Sequence, residues 1–307
     1  MLKSTPSTAK TLVCLACKGA LDSSDIDAYV ICEECGSAIY ISDQDAKDDN
    51  KNYFNNHQFS ENLRLRSLLF SIFNRIDQFF NRKEFSMYEK LLKKIEDSVN
   101  SAPTSVEIGF GGGDELNRRL ARGANCYGID LSSTVVDTYR RKYPHYAARV
   151  NCEAAGKSSI SCNLIYSNAL FEHLDQPDQF LESTHEQLQK DGILAIRIPI
   201  KINTHAKANE IDINYWKPCH RALYTLKGID SILKRNGFQI VQQATLSYYG
   251  YKVMNCLLKA GFISLHDIRS PYAKVPGLTM LKFLKSLILG LFEKPVCVEY
   301  AALAIKI

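Results

Sequence analysis

Apolar and polar positions follow two different periods along the chain. From Ser60 to Val99 apolar residues recur at helical spacing, which predicts two helices. By contrast, Val106 to Ile108 and Cys126 to Ile129 are short apolar runs typical of buried strands. Between them lie a glycine-rich loop and a segment, from Asp114 onward, that predicts a helix. Much later, Leu278 to Phe292 predicts an amphipathic helix with one apolar stripe.

The N-terminal segment has a different character because its cysteines come in pairs. Tyr29 to Ile31 and Ile39 to Ile41 are β-prone runs that predict short hairpins. Two C-x2-C pairs, fourteen residues apart, lie around them: Cys14, Cys17, Cys32 and Cys35. This spacing predicts a zinc ribbon in which four thiolates converge on one ion. The ion would be structural, since every ligand comes from the protein; the alternative is four buried or redox-active cysteines.

Glycines follow both cysteine pairs. Gly19 and Gly36 are expected to adopt positive φ, so that the chain can turn away from each pair. The segment resembles the short zinc-ribbon domains that are fused to, or partner, bacterial and tRNA methyltransferases.

Composition narrows the classes of protein only a little. The chain has 307 residues, 38 basic and 33 acidic, and a net charge of +5, which permits nucleic-acid binding without arguing for it. No uncharged apolar run approaches the ~18 residues of a membrane-spanning helix. We see no secretory signal near the N-terminus and expect a cytoplasmic, reducing location, with the other six of the ten cysteines as incidental packing.

The glycine-rich loop carries the main functional signal. Gly109, Gly111 and Gly113 follow a strand, and Asp130 ends the next strand 21 residues after Gly109. An acid at that distance can accept hydrogen bonds from ribose hydroxyls, so the pattern predicts a nucleoside cofactor. Acidic residues at Asp114 and Glu115 would repel a pyrophosphate but suit the cationic S-adenosylmethionine.

From about residue 100 the chain resembles Rossmann-like S-adenosylmethionine-dependent methyltransferases. Glu107 and the three glycines match their E/D-x-G-x-G-x-G signature, and Asn163 to Leu174, Leu188 to Pro199 and Tyr224 to Phe238 match later segments in order. The resemblance includes small-molecule members such as quinone-pathway O-methyltransferases. It implies an α/β fold with a seven-stranded sheet, in which strand six and the last strand pair antiparallel.

The resemblance also implies roles for individual residues. Glu107 and the glycines would hold the methionine end, and Ser167, just beyond the fourth strand, would lie near the methionyl backbone. Asp130 would bind the ribose, Leu131 would flank the adenine, and Glu153 could replace the acid that usually reads the adenine amino group. One departure is Asn163, where the family usually has aspartate at the start of the fourth strand.

Catalysis is less clearly written in the sequence. His173, after the fourth strand, could be the general base for a hydroxyl acceptor. Glu172 could orient its ring or, as the resemblance to some quinone-pathway members implies, help bind a divalent cation. The alternative is that both residues begin a helix and stabilise a loop. His220 is a second candidate, for which a packed loop is the favoured alternative.

The expected organisation is a zinc ribbon over residues 1–45, a linker and helical cap over 46–100, and a methyltransferase domain over 101–307. Residues 247–295 form an insertion before the last strand. Its helix at 278–292 could make a peripheral membrane contact or touch a lipid-linked acceptor. Packing of this helix on the core is the preferred interpretation.

The expected function is methyl transfer to a small-molecule or carrier-linked acceptor, at oxygen. One alternative is an RNA methyltransferase whose ribbon grips nucleic acid; against it, residues 11–41 hold few basic and five acidic side chains. Another alternative is a non-catalytic scaffold that retains the fold.

Overall fold

The computed structural model describes the four-cysteine segment, the central sheet and the helices around it. The described residues are 12–21, 29–41, 103–154, 157, 160–204, 220–246, 252, 256, 260, 285, 288–292 and 297–307. The helices expected between residues 60 and 99, and most of the insertion at 247–295, lie outside these residues.

A seven-stranded mixed sheet forms the centre of the described structure, with strand order β5-β4-β3-β6-β7-β10-β9. Its strands are β3 (Ser105–Ile108), β4 (Cys126–Asp130), β5 (Val150–Cys152), β6 (Cys162–Asn168), β7 (Leu188–Lys201), β9 (Phe238–Leu246) and β10 (Cys297–Lys306). The helices are α1 (Asp114–Ala121), α2 (Ser133–Lys142), α3 (Pro177–Gln187) and α4 (Leu226–Arg235), with 3₁₀ turns at Pro144–Arg149 and Phe171–His173.

The direction of the strands divides this sheet into two parts. Strands β5, β4, β3, β6 and β7 run parallel, as expected for strands joined by helices. Strand β10 lies antiparallel between β7 and β9. The predicted α/β fold, the seven strands and the antiparallel pairing of the last two are therefore confirmed.

Local sequence signals explain where two of the helices begin. The Ser132 hydroxyl accepts from the backbone N–H of Val135 at 3.4 Å and caps α2. The Thr225 hydroxyl accepts from Gly228 N–H at 3.1 Å and caps α4. Each cap satisfies a backbone donor that the first helical turn leaves without a partner.

The four-cysteine segment forms a second, smaller sheet. Strand β1 (Tyr29–Ile31) pairs antiparallel with β2 (Ala38–Tyr40), which confirms the expected hairpin. Strand β2 also pairs with β8 (Ala222–Leu223), which comes from the far end of the chain. Cys14, Cys32 and Cys35 belong to the same buried cluster as core residues of the large sheet.

One expectation about the glycines is wrong at the first cysteine pair. Gly36 has a φ of 74°, as expected, but at the first pair it is Lys18 that adopts a positive φ, of 67°. The φ of Gly19 lies outside the left-handed region, and a Cβ on it would come close to the carboxylate of the exposed Glu34 and to Cys17 Sγ. Its position therefore marks the close approach of the two knuckles rather than a need for left-handed backbone.

The described end of the helix expected at 278–292 is exposed. Lys285 and residues 288–292 are helical, and Ile288 and Phe292 are 61% and 77% exposed. In the part of the chain that the structure describes, no helix is both long and apolar enough to cross a membrane.

Candidate functional site

Register in the parallel sheet gathers the predicted cofactor residues at one edge. Ile108 at the end of β3 lies opposite Ile129 of β4 and Ser167 of β6. Gly109 follows Ile108 and donates its N–H to the Ile129 carbonyl at 2.7 Å. This is the carboxyl edge of the strands, where open α/β sheets bind their ligands.

The glycine loop turns away from this edge through left-handed backbone conformations. Gly109, Gly111 and Gly113 have φ values of 71°, 51° and 69°, a region that side chains disfavour. At Gly113 a Cβ would also overlap the ring of Tyr139, whereas Gly111 faces open space. Because α1 begins directly afterwards at Asp114, the loop combines an open approach with the N-terminus of a helix.

Asp130 is held in place by backbone donors. One carboxylate oxygen accepts from Gly111 N–H at 3.1 Å, and the other accepts from Ser132 N–H at 2.9 Å. Burial raises the pKa of Asp130 despite these two bonds. A carboxylate has about four acceptor positions, so two backbone bonds leave capacity for ligand hydroxyls.

Glu107 and Ser167 are buried polar residues beside the loop. Among the described residues, Glu107 Oε2 and Ser167 Oγ have no hydrogen-bond partner. Burial raises the pKa of Glu107 to about 7, against the opposing charges of Arg119 and Arg118. Orphaned buried oxygens are costly in a folded protein, and a ligand that donates hydrogen bonds would remove that cost.

Ser167 lies inside the fourth parallel strand, not beyond it as expected, because β6 continues to Asn168. The strand is extended at this end by its pairing with β7, where Asn168 lies opposite Arg197. The chain then leaves the sheet at Ala169, a residue with a positive φ of 51°. Sequence reasoning missed this residue, since alanine carries no turn signal.

Leu131 and Glu153 lie beyond Asp130, on the side expected for an adenine. Leu131 is 76% exposed, which is unusual for a large apolar side chain next to a buried strand. Glu153 donates its backbone N–H to the Asp130 carbonyl at 3.1 Å. This places both residues next to Asp130.

Asn163, the departure from the family pattern, has a local structural role. Its side-chain oxygen accepts from Thr104 N–H at 3.1 Å, and its amide donates to Gln189 at 2.8 Å. It therefore ties the start of β6 to its neighbours, far from the carboxyl edge.

Three of the catalytic candidates form a cluster, which we call the histidine cluster: Glu172, His173 and His220. His173 Nε2 lies 3.9 Å from Glu172 Oε1, and the two imidazole ring centroids are 4.7 Å apart. One donor atom from each residue lies within 4.8 Å of the others. Such a group could hold a divalent ion or relay a proton.

The structure brings His220 to His173 although 46 residues separate them. Arg221, the next residue, donates its N–H to the Glu172 carbonyl at 2.7 Å and pairs through its guanidinium with Asp175. These partners are distant in sequence and follow no spacing rule. No pattern in the sequence could have identified them.

The four sulfurs of the N-terminal pairs converge as predicted. Cys14 Sγ lies 3.6 Å from Cys35 Sγ, Cys17 Sγ lies 3.5 Å from Cys32 Sγ, and all four are within 4.8 Å. Four bonds of ~2.3 Å to one tetrahedral ion would separate the sulfurs by about 3.8 Å. The donor set therefore fits a zinc ion.

The hydrogen bond between Cys14 and Cys35 also separates the thiol pKa values. It raises the pKa of Cys14 and lowers that of Cys35 to about 5. Burial raises the pKa of Cys17 to about 11, although Gly19 N–H donates to its Sγ at 3.4 Å and favours the thiolate.

The geometry can now be compared with known proteins. Residues 80–243, more than half of the chain, match a family model described as a methyltransferase domain. The chain therefore belongs to the methyltransferase domain family.

Individual relatives are distant. An uncharacterized methyltransferase of Oceanobacillus iheyensis is 25% identical over 137 residues, which are 43% of this chain and 62% of the relative. The chain thus matches less than two thirds of that relative's length.

The fold recurs in solved structures. Geranyl diphosphate C-methyltransferase from Streptomyces coelicolor, in complex with Mg²⁺, geranyl diphosphate and S-adenosylhomocysteine, has 13% identity and a TM-score of 0.50, covering 74% of this chain and 80% of that one. A cyclopropane synthase from Mycobacterium tuberculosis has 17% identity and a TM-score of 0.48, covering 66% and 78%. At this identity the first likeness shows the methyltransferase fold alone.

Proposed function

We propose that this chain transfers a methyl group from S-adenosylmethionine to a small-molecule or carrier-linked acceptor, at oxygen. The observation that carries the proposal is the grouping of the glycine loop, Asp130, Glu107 and Ser167 at one sheet edge. Family membership supports the same reaction class.

The cofactor fits the polar groups at this edge. Asp130 would accept hydrogen bonds from the ribose hydroxyls, and the exposed Leu131 and nearby Glu153 would face the adenine. Ser167 Oγ would bond the methionyl backbone. Glu107 would lie near the cofactor's ammonium group, whose positive charge favours the ionised carboxylate and offsets the desolvation that raises the pKa of Glu107.

Bound S-adenosylmethionine supplies an activated methyl group, so the protein contributes mainly positioning and proton transfer. His173 would remove the proton from the acceptor hydroxyl, and Glu172 would orient the imidazole. His220, with its ring 4.7 Å from that of His173, would form the opposite wall of the same pocket. Glu172 and His220 are buried and His173 is only 10% exposed, so this cluster is largely shielded from bulk solvent.

The four cysteines would hold one structural zinc ion. Their sulfur separations fit a tetrahedral site, and all four ligands come from the protein. Metal analysis of dialysed protein should find about one zinc per chain; a metal-free, folded protein would contradict this part of the proposal.

A nucleic-acid substrate is less well supported. The one lysine at the first knuckle, Lys18, pairs with Asp178 at 2.5 Å, and Lys227 donates to the Glu34 carbonyl at 2.6 Å. Both cations already bond acceptors within the chain. The ribbon therefore offers little positive charge for phosphates.

Calorimetric titration of the full chain with S-adenosylmethionine tests the cofactor site. We expect binding, and we expect Asp130→Ala to weaken it at least ~30-fold by removing charged hydrogen bonds. Asp137→Ala, which removes an exposed aspartate on α2, is the matched control and should bind normally. If the wild-type protein does not bind, the chain is a scaffold; if it binds, methyl-acceptor screens of metabolites and of RNA separate the two enzyme classes.

A further inference from the structure

The four-cysteine segment lies directly beside the histidine cluster. Its strand β2 pairs with β8, so that Ala38 lies opposite Leu223 and Ile39 lies opposite Ala222. Tyr40 N–H donates to the Arg221 carbonyl at 3.0 Å and continues this pairing. The segment thus forms a sheet with the residues that immediately follow His220.

A second contact reaches His220 itself. The Tyr29 hydroxyl, from β1, donates to the His220 carbonyl at 2.9 Å in a buried setting. On its other side, Arg221 N–H donates to the Glu172 carbonyl at 2.7 Å. The His220–Arg221 dipeptide is therefore held between the cysteine segment and the Glu172–His173 turn.

A third set of contacts starts at one of the sulfur ligands. Cys35 Sγ and Ser37 Oγ are hydrogen-bonded at 3.2 Å, and the Cys35 carbonyl accepts from the Thr225 hydroxyl at 2.5 Å. Thr225 N–H donates to Ser37 Oγ at 3.1 Å. These buried bonds link the cysteine site to Thr225, which caps α4 five residues after His220.

The strands that make these contacts are too short to form a stable sheet on their own. Strands β1 and β2 have three residues each, and so small a sheet is marginal unless a metal or another element stabilises it. The four cysteine sulfurs bring the two knuckles together. An ion bound by them would fix the orientation of β1 and β2, and through them that of His220.

We propose that the metal-held cysteine segment positions His220 against Glu172 and His173, so that loading of the cysteine site sets the geometry of the histidine cluster. His220 is then a positioning or pocket residue supplied by the segment, and the ribbon is a wall of the catalytic site. This inference rests on the proposed zinc site and on the proposed role of the histidine cluster.

Hydrogen–deuterium exchange on the full chain, zinc-loaded or treated with a chelator, tests the coupling. We expect metal removal to speed exchange at least ~10-fold in peptides covering 220–225, whose bonds to the segment open, and 171–174, which is bonded to Arg221. Exchange in β4, at 126–130, should rise by a much smaller factor than at 220–225. An equal rise in β4 would overturn the inference, since it would make the metal a general stabiliser.

A variant that keeps all four cysteines avoids dependence on metal removal. Tyr29→Phe removes the hydroxyl that bonds His220, and should speed exchange at 220–225 about fivefold. Tyr40→Phe is the matched control: its ring packs against Tyr29 at 5.2 Å, and its hydroxyl makes no hydrogen bond to the described residues. The control should leave exchange unchanged.

Imidazole NMR signals report the position of the ring directly. At 4.7 Å the rings of His173 and His220 shift each other's resonances, which can be assigned with His173→Gln and His220→Gln. We expect Tyr29→Phe, and metal removal, to reduce these mutual shifts, with S-adenosylmethionine affinity unchanged. Unchanged imidazole signals in both samples would refute the proposal.

Metal analysis of the same samples separates this failure from others. Protein without zinc would refute the zinc site on which the inference rests. If the protein binds zinc but the imidazole signals of His220 change neither in Tyr29→Phe nor on chelation, the inference is refuted. The proposed methyl transfer is then unaffected.

Discussion

The glycine loop and the four-cysteine segment both contain tight turns. The contacts that hold them join residues at very different separations in sequence. In the loop, Gly111 N–H bonds Asp130, only 19 residues away. In the cysteine segment, Tyr29 bonds His220 across 191 residues, and Ser37 bonds Thr225 across 188. The glycine loop is thus held by strands that are neighbours in sequence. The four-cysteine segment depends instead on contacts between two distant parts of the chain.

This difference predicts how each region fails. A substitution in the glycine loop should change the structure only near β3 and β4, because the contacts of the loop are local. Damage to the cysteine segment should reach both the core and the histidine cluster, since Cys14, Cys32 and Cys35 pack in the main buried cluster. Four substitutions, from the largest expected effect to the smallest, test the comparison.

The largest effect is expected from Cys14→Ser combined with Cys35→Ser. Losing two ligands would abolish the proposed metal site and leave polar groups in the core, so the free energy of unfolding should fall by more than about 4 kcal/mol. Urea denaturation with metal analysis measures both changes. Cys152→Ser, at an exposed cysteine on the cofactor side, is the control and should change neither. A stable double variant would show that the two regions are equally local.

Glu107→Gln should alter the pH dependence of stability. Because burial raises the pKa of Glu107 to about 7, the folded protein holds this proton more tightly than the unfolded chain. The resulting stability is present below the unfolded pKa of 4.5 and is lost as pH rises through 7. The variant should remove this loss, worth up to about 3 kcal/mol between pH 5 and 8.

Urea denaturation at several pH values measures this slope. Glu186→Gln, at an exposed position on α3, should keep the wild-type pH dependence. A Glu107→Gln slope equal to that of the wild type would mean that Glu107 is ionised throughout.

Gly113→Ala tests how local the loop is. The added Cβ meets the Tyr139 ring at a positive φ, which should cost about 2–3 kcal/mol and weaken S-adenosylmethionine binding. Gly112→Ala is the control, because a Cβ there has open space and its φ lies outside the left-handed region. Exchange measurements should show changes near β3 and β4 only; a change at 220–225 would contradict the comparison.

The smallest effect is expected from Arg235→Ala, at the outer rim of the contact. Arg235 donates to the Ala16 and Leu15 carbonyls and pairs with Asp178 at 2.8 Å. Its loss should cost about 1–2 kcal/mol and loosen the first knuckle. Lys234→Ala, next to it on α4 but paired only with Asp230 among the described residues, should change stability by less than about 0.5 kcal/mol.

Sequence reasoning predicted the parts of the site whose geometry follows from spacing. The strand–loop–helix order around Gly109, the acid at the end of β4 and the convergence of the paired cysteines all match the structure. These features succeed because backbone period and short loops bring residues within about twenty positions together. Ser167 was predicted to lie just beyond the fourth strand, but it lies within β6, because pairing with β7 extends β6 to Asn168.

The contacts of His220 could not be predicted in this way. Its sequence neighbourhood favoured a packed loop, and nothing in it points to Tyr29 or Glu172. Strand β8 has only two residues, and its pairing with β2 depends on the packing of the whole molecule.

By itself, the sequence determined the α/β class, the glycine loop with its nearby acid and the cysteine cluster, because periodicity and short-range spacing restrict the backbone. Only the tertiary structure decided that the cysteine segment joins β8 and meets the histidine cluster. Partners nearly two hundred residues apart are selected by the shape of the assembled core, in which many pairings compete. Local spacing carries no information about which of those pairings prevails.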